Sequence, residues 1–300
     1  EAEDITRRCF AYTNHTVMQE ALEKWPQHMM RSLLPRIYMI LEEMNRRLCQ
    51  KLWNAYPGQW ERIGHMAILA YDQVHMANLC VSACSTVNGV SQIHADILRK
   101  QTFKDYYALA PERFLGITNG ITHRRWLMQS NPELSDLLDE AIGQAWRKDA
   151  ERLSDLTPLA DDAAFRERFA AIKLHNKERL ARTIRAHQGT IITPDTMFDV
   201  QAKRLHEYKR QLLNAMAILM LYNRIADNPN YEITPRTYIF GAKASPAYYR
   251  AKLIIKLLGN LGELIDKHPR ARKMMKVVFL ENYCVSAAEV LIPAADVSEQ

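Results

Sequence analysis

From about residue 190 onward, short apolar runs alternate with longer amphipathic ones, and no other feature restricts the possible folds so strongly. Residues 197–200, 237–241 and 276–280 read as strands. Residues 205–225, a segment from Ser245-Pro246 to about Lys267, and a short segment from Ser286 to Pro293 read as helices. Ser245 suits an N-cap and Pro246 a first helical position. Ser286-Ala-Ala-Glu289 has the spacing of a capping box. Three strand–helix alternations imply right-handed crossovers and a parallel sheet. Ligands of such sheets gather beyond the carboxyl ends of the strands. By that rule Lys203, Arg204, Lys243 and Tyr283 share one edge, each just after a strand. The pattern is Rossmann-like but lacks GxGxxG, so a dinucleotide is not indicated.

The first of these edges carries FDVQAKRLHEYKRQLLN, residues 198–214. Within eight residues Lys203, Arg204, Lys209 and Arg210 crowd around His206 and Tyr208, against one acid, Glu207. Leu205, Tyr208, Leu212, Met216 and Leu219 recur at helical spacing and predict one apolar face. Cations oppose the positive end of a helix dipole, so this placement is poor for stability alone. It is a good place to hold a phosphate. The plain alternative is a solvated basic patch. The net charge of +6 suits an anionic small molecule as well as nucleic acid and does not decide between them. The cations cluster at one edge without a stripe of stacking aromatics, which argues against nucleic acid.

The preceding part of the chain is mostly helical by its pattern. Thr16-Val-Met-Gln19 is a capping box for a helix that would stop near Pro26. Residues 33–53 predict a long amphipathic helix with Pro35 in its first turn. Residues 64–71 read as a short strand, and 73–81 and 90–100 as helices separated by Asn88-Gly89. Asn119-Gly120 is a turn signal in ITNGITHRRWLMQS, a loop at a domain crossing. Residues 131–187 are helical, with Phe165, Phe169 and Ile172 as the expected core stripe. Five cysteines with no CxxC pair read as reduced cytosolic thiols, and Cys80 and Cys84 as core packing with no metal site. No apolar run approaches a membrane span, and no signal peptide opens the chain. Glu1 in place of Met, and a structured run interrupted at Gln300, read as a piece of a longer protein.

The segment KRLHEYKRQLLN resembles the phosphate site of the glycogen, starch and maltodextrin phosphorylases. So, in the same order, do FAYTNHTVMQEALEKW, TNGITHRRWL, FGAKASPAYYRAKLIIKL and FLENYCVSAAEVLIPAADVSEQ, and the likeness covers nearly all 300 residues. The resemblance implies an α/β, two-domain GT-B-like architecture: a mostly helical part of the N-terminal domain over residues 1–118, and an incomplete Rossmann-like sheet of the C-terminal domain over 119–300, facing each other. It implies phosphorolysis of an α-1,4-glucan by inorganic phosphate to glucose 1-phosphate with retention. Lys203, Arg204 and Lys209 then surround the substrate phosphate, His15 and Asn119 face the sugar, and Trp126, Lys203, Lys209 and Tyr283 contact pyridoxal phosphate. A cytoplasmic, homodimeric parent is implied, with no nucleic acid or membrane partner. The family's cofactor-bearing lysine lies in a Gly-rich segment that follows the stretch matching Ser298-Glu299-Gln300, so these residues alone are expected to be catalytically silent.

The sequence departs from the family pattern in three places. His123 replaces the usual proline, Cys284 stands where the animal enzymes carry arginine, as in bacterial maltodextrin phosphorylases, and Cys84-Ser85-Thr86 replaces the animal Ser-His-Ala. Two other readings compete. One is a retaining nucleotide-sugar glycosyltransferase of the same fold, and the other is a non-catalytic glucan- or anion-binding module.

Overall fold

The computed structural model describes residues 1–17 and 19–299. They form two compact units, Glu1–Ile121 and Thr122–Gln300.

The first unit opens with α1 (Ala2–Cys9) and β1 (Tyr12–Asn14). The helix expected from Thr16 does not form; only a 3-10 turn, Gln19–Ala21, precedes β2 (Lys24–Pro26). Asn14 Oδ1 accepts the Thr16 N–H at 2.8 Å, and the Thr16 carbonyl lies 3.2 Å from His94 Nε2. These bonds give the backbone an alternative to a helical turn. Met18, part of the expected capping box, lies outside the described residues.

After α2 (Gln27–Leu33), the long amphipathic helix appears as α3 (Pro35–Ala55), with Pro35 in its first turn as expected. Of the strand expected over 64–71 only β3 (Leu69–Ala70) forms; residues 64–66 end α4 (Trp60–Met66), and β3 makes a hairpin with β4 (Gln73–His75). The next helix, α5 (Met76–Ala83), starts three residues later than its pattern suggested, because the His75 N–H is drawn to the Ile68 carbonyl at 2.8 Å.

Asn88-Gly89 is not a separator. It belongs to β5 (Val87–Gly89), which is parallel to β1 and to β6 (Phe114–Gly116), in the order β1-β5-β6. Between β5 and β6 run α6 (Gln92–Ile97), a π-helical turn (Leu98–Thr102) and α7 (Lys104–Leu109). A Cβ on Gly89 would fall 2.6 Å from the Ala95 backbone nitrogen, so the glycine is what lets α6 sit on the strand. Leu52, Val81, Val87, Leu98 and Phe114 fill the core.

The second unit begins with a π-helical turn, Arg124–Gln129, where a loop was expected, then α8 (Pro132–Ile142) and α9 (Ala163–Gln188). Asp162 caps α9 by accepting the Phe165 N–H at 2.8 Å, and Gly189 closes it in the left-handed region. Phe165 and Phe169 do not form its core stripe, and Phe169 is exposed. The buried residues are Asn176, Lys177, Leu180 and Ile184, because the sheet lies under the second half of the helix.

That sheet is parallel throughout, in the order β10 (Val297–Ser298), β7 (Met197–Ala202), β8 (Arg236–Gly241), β9 (Met275–Leu280). One face is covered by α10 (Gln211–Asp227) and α11 (Tyr249–Lys267), which pack Ala215, Ile218, Leu258 and Ile265 with Tyr238 and Phe240. After the short α12 (Ala271–Met274) and β9 comes α13 (Val285–Ala294), which joins α9 on the other face around Phe198, Ile239 and Leu291. The strand order reverses between β7 and β10, which makes the carboxyl ends there the switch point of the sheet.

In the second unit three helix starts differ from the sequence pattern. α10 begins at Gln211 and not at 205, because a 3-10 turn (Glu207–Lys209) and a left-handed Arg210 with φ of 60° intervene. The helix is thereby re-phased. Its sheet side is Gln211, Ala215, Ile218 and Ile225, while Tyr208, Leu212, Met216 and Leu219 are 68, 42, 58 and 38% exposed. Ser245 makes a turn to the Tyr248 N–H, and α11 starts at Tyr249 without a side-chain cap. Cys284 occupies the N-cap position of α13, and Glu289 reaches Arg125 at 2.7 Å where a capping bond was expected.

Candidate functional site

The carboxyl edge of the second unit's sheet is built by backbone pairing that outlasts the strands. Ala202, Gly241 and Leu280 are in register. Beyond them the Lys203 N–H donates to the Gly241 carbonyl at 2.9 Å and the Leu205 N–H to the Lys243 carbonyl at 3.1 Å. Leu205 is buried and anchors the loop, which leaves Lys203 half-buried and Arg204 exposed beside it. Three amides tie the loop down. Gln211 Nε2 donates to the Arg204 carbonyl at 3.2 Å, Gln201 Nε2 to the Lys209 carbonyl at 3.2 Å, and Asn214 Nδ2 to Gln201 Oε1 at 3.1 Å. Lys209 is therefore held against the end of β7 although it lies seven residues past the strand.

Glu207 does not neutralise this cluster. It accepts from the Tyr248 hydroxyl at 2.6 Å and from Arg250 at 3.0 Å, and these bonds, the tyrosine's first, hold its carboxyl below the usual range. Among the described residues no carboxylate lies within 4.0 Å of Lys203, Arg204, Lys209, Arg210 or Lys243. The His206 ring stands 4.4 Å from Tyr208 and 5.2 Å from Tyr248, centroid to centroid. Unpaired cations in a preorganised loop at a switch point are suited to an oxyanion.

In the turn after β9, Asn282 adopts a left-handed conformation with φ of 47° and Tyr283 follows. The Tyr283 ring lies against Gly241, where an added Cβ would come 2.9 Å from Cδ2. Burial pushes the Tyr283 phenol up, so it stays protonated at neutral pH. The exposed Cys284 thiol is 3.1 Å from the Ser286 hydroxyl; that bond, then the Ala287 N–H and, last, Lys243, push it down.

The structure thus gathers Lys203, Arg204, Lys209 and Tyr283 at one edge of one sheet. Trp126 is in the same unit, half-buried in the turn before α8, with Arg125 5.8 Å from its ring centroid. His15 and Asn119 belong to the first unit. They are both exposed and follow the carboxyl ends of β1 and β6, which flank β5 in the other parallel sheet. The Ile117 N–H donates to Asn88 Oδ1 at 2.8 Å, and this fixes the start of the segment that carries Asn119. The tethers Gln201, Gln211 and Asn214 escaped sequence reasoning. Their one signal is a pair of glutamines at positions where strand and helix periodicity call for apolar residues; both prove buried.

The family model for carbohydrate phosphorylases matches residues 1–300. The chain belongs to the carbohydrate phosphorylase family. It is 51% identical over 300 residues to the glycogen phosphorylase of Bacillus subtilis (strain 168), covering all of this chain and 38% of that protein. It is 45% identical over 303 residues to the muscle-form glycogen phosphorylases of Mus musculus and Homo sapiens, covering 36% of each. The chain therefore spans little more than a third of the length of these phosphorylases. Among the described residues no helix is long and apolar enough to cross a membrane.

Proposed function

We propose that this chain is the central part of an α-1,4-glucan phosphorylase, a cytoplasmic homodimer that transfers a terminal glucosyl unit to inorganic phosphate, giving glucose 1-phosphate with retention. The observation that carries the reading is the set of unpaired cations Lys203, Arg204 and Lys209 at the switch point of the sheet, in a chain that matches the phosphorylase family from end to end. On this reading residues 1–118 would belong to the parent's N-terminal domain and 119–300 would open its C-terminal domain, although the compact units of this chain divide three residues later, after Ile121.

The chemistry explains the cations. An attacking phosphate dianion must be brought close to a second phosphate and to a sugar that gains oxocarbenium character. Fixed positive charge in a site that excludes water makes that approach tolerable. Arg204 can grip two phosphate oxygens with its planar fork, while Lys203 and Lys209 act as point charges. His15 and Asn119 hold sugar hydroxyls and so orient the anomeric carbon.

Pyridoxal phosphate fits the residues present. Lys203 and Lys209 offer charge that no carboxylate consumes, and the Tyr283 ring is seated on Gly241 at the same sheet edge. Lys203, Lys209, Tyr283 and Trp126 would hold it. When bound, it supplies a phosphate group that exchanges a proton with the substrate phosphate, and its aldehyde chemistry is not used.

The test is phosphorolysis by the full-length enzyme. Arg204→Ala is expected to remove on the order of 3 kcal/mol of transition-state stabilisation, roughly a hundredfold in rate. Arg204→Lys should restore only part of this, because an ammonium cannot make the two-pronged contact. Near-normal turnover in Arg204→Ala, together with no rise in melting temperature on adding phosphate or sulfate, would return the cluster to a solvated basic patch.

A further inference from the structure

The peptide group between Arg204 and Leu205 is held at both of its polar atoms. Its N–H donates to the Lys243 carbonyl at 3.1 Å, and its carbonyl accepts from Gln211 Nε2 at 3.2 Å. Peptide groups are planar, so the orientation of this one decides ψ at Arg204 and with it where the side chain is carried. Among the described residues no carboxylate within 4.0 Å orients the Arg204 guanidinium, which leaves its backbone to aim it. We propose that Gln211 is a positioning residue of the phosphate site, acting through the Arg204 carbonyl, and that its amide serves the reaction and not the stability of the fold. The proposal rests on the reading of Arg204 as a ligand of the substrate phosphate.

Three observations separate Gln211 from an ordinary packing residue. It is 1% exposed and lies on the sheet side of α10, in line with Ala215, Ile218 and Ile225. That face calls for an apolar side chain.

The amide is also only half used. A carbonyl can only accept, so the NH2 must face Arg204, and Oε1 is left over. Oε1 is buried and has no hydrogen-bond partner among the described residues. An acceptor stranded in this way lowers stability. A methionine has nearly the same length and flexibility and strands nothing. Gln201 is the contrast. It is buried as well, but both ends of its amide are engaged, Nε2 with the Lys209 carbonyl at 3.2 Å and Oε1 with Asn214 at 3.1 Å. Local satisfaction accounts for Gln201 and does not account for Gln211.

The third observation is the route of the chain. It returns from Arg204 to Gln211 through Arg210, a residue with a side chain in the left-handed region, φ 60° and ψ 29°. That conformation is unfavourable for any residue with a Cβ. Strain of this kind persists where it organises a site. The fold thus accepts a stranded acceptor and a strained residue next to each other, and the bond made there is the one to the Arg204 carbonyl. A guanidinium aimed before phosphate arrives needs no reorientation as charge develops on the phosphate oxygens.

The experiment measures phosphorolysis by the full-length holoenzyme in a cycle of four proteins: the parent, Gln211→Met, Arg204→Ala and the double variant. Gln211→Met should lower kcat/KM for phosphate about tenfold, equivalent to about 1.4 kcal/mol. KM for the glucan should stay the same, and the melting temperature should be unchanged or raised. In the Arg204→Ala background the same substitution should alter kcat/KM for phosphate less than about twofold, because no side chain is left to aim. The proposal is overturned if Gln211→Met has normal phosphate kinetics, or if it costs the same factor with and without Arg204. It is also overturned if Gln211→Met fails to fold or melts clearly lower, since the amide would then serve the fold. Normal turnover in Arg204→Ala would instead overturn the phosphate-site reading, and the proposal with it.

Discussion

Lys177 offers the sharpest test of how the switch point is held. It is a buried lysine on α9, and its Nζ lies 2.8 Å from Asp296 Oδ2, 2.8 Å from the Thr196 carbonyl, and 4.7 Å from the Phe198 ring centroid. Asp296 Oδ2 also accepts the Phe198 N–H at 2.7 Å, so the pair pins the turn before β10 to the start of β7. Lys177→Met keeps most of the apolar stem and removes the charge. Two hydrogen bonds of a charged donor are lost, each contributing about 1.5–3 kcal/mol. Asp296 is about a quarter exposed and keeps its bond to Phe198, so water recovers part of that loss. The net destabilisation should be about 3 kcal/mol, near the lower end for breaking a buried ion pair.

The double variant Lys177→Met, Asp296→Asn removes the stranded charge and should be less destabilised than the sum of the two single variants, by at least about 1 kcal/mol. Urea unfolding followed by fluorescence of Trp146, which is fully buried in the same unit, reads each free energy. Additivity of the two substitutions within about 0.5 kcal/mol, or a cost below about 1 kcal/mol for Lys177→Met, would refute the reasoning.

Three further outcomes are expected. In the full-length enzyme His15→Ala should lower turnover as well as weaken substrate binding; a change in KM alone would reduce its role to uniform binding. Gly89→Ala should destabilise the first unit by about 3 kcal/mol or more, since the new Cβ meets α6 backbone at 2.6 Å and not a movable side chain, and an unchanged urea midpoint would contradict that packing. Ser286→Ala removes the foremost cause of the lowered Cys284 thiol and should slow its alkylation by iodoacetamide at a pH below the ordinary thiol value, where the thiolate fraction limits the rate; an unchanged rate there would show that the hydroxyl does not support the thiolate.

The sequence by itself determined the parallel sheet and what stands at its edge. Strand–helix alternation is a local signal, and a crossover of that length admits one handedness, so residues 203, 204, 243 and 283 were bound to emerge at the same end. It also determined α3, where twenty-one residues of amphipathic pattern and a well-placed proline leave little choice. Where helices begin, and which faces they bury, was decided only by tertiary structure. Thr16, Ser245 and Ser286 all have the chemistry of caps, yet partners far away in sequence intervene at two of them, His94 near Thr16 and Arg125 at Glu289, and at Ser245 a local turn to Tyr248 takes the place of the cap. The left-handed Arg210 rotates α10 so that a face with perfect periodicity, from Tyr208 to Leu219, turns away from its own sheet. Periodicity shows that a helix has an apolar side but carries no information about which neighbour comes to meet it. The amide tethers that hold Lys209 beside Lys203, and the one that fixes the Arg204 carbonyl, depend on contacts between segments that no local pattern encodes.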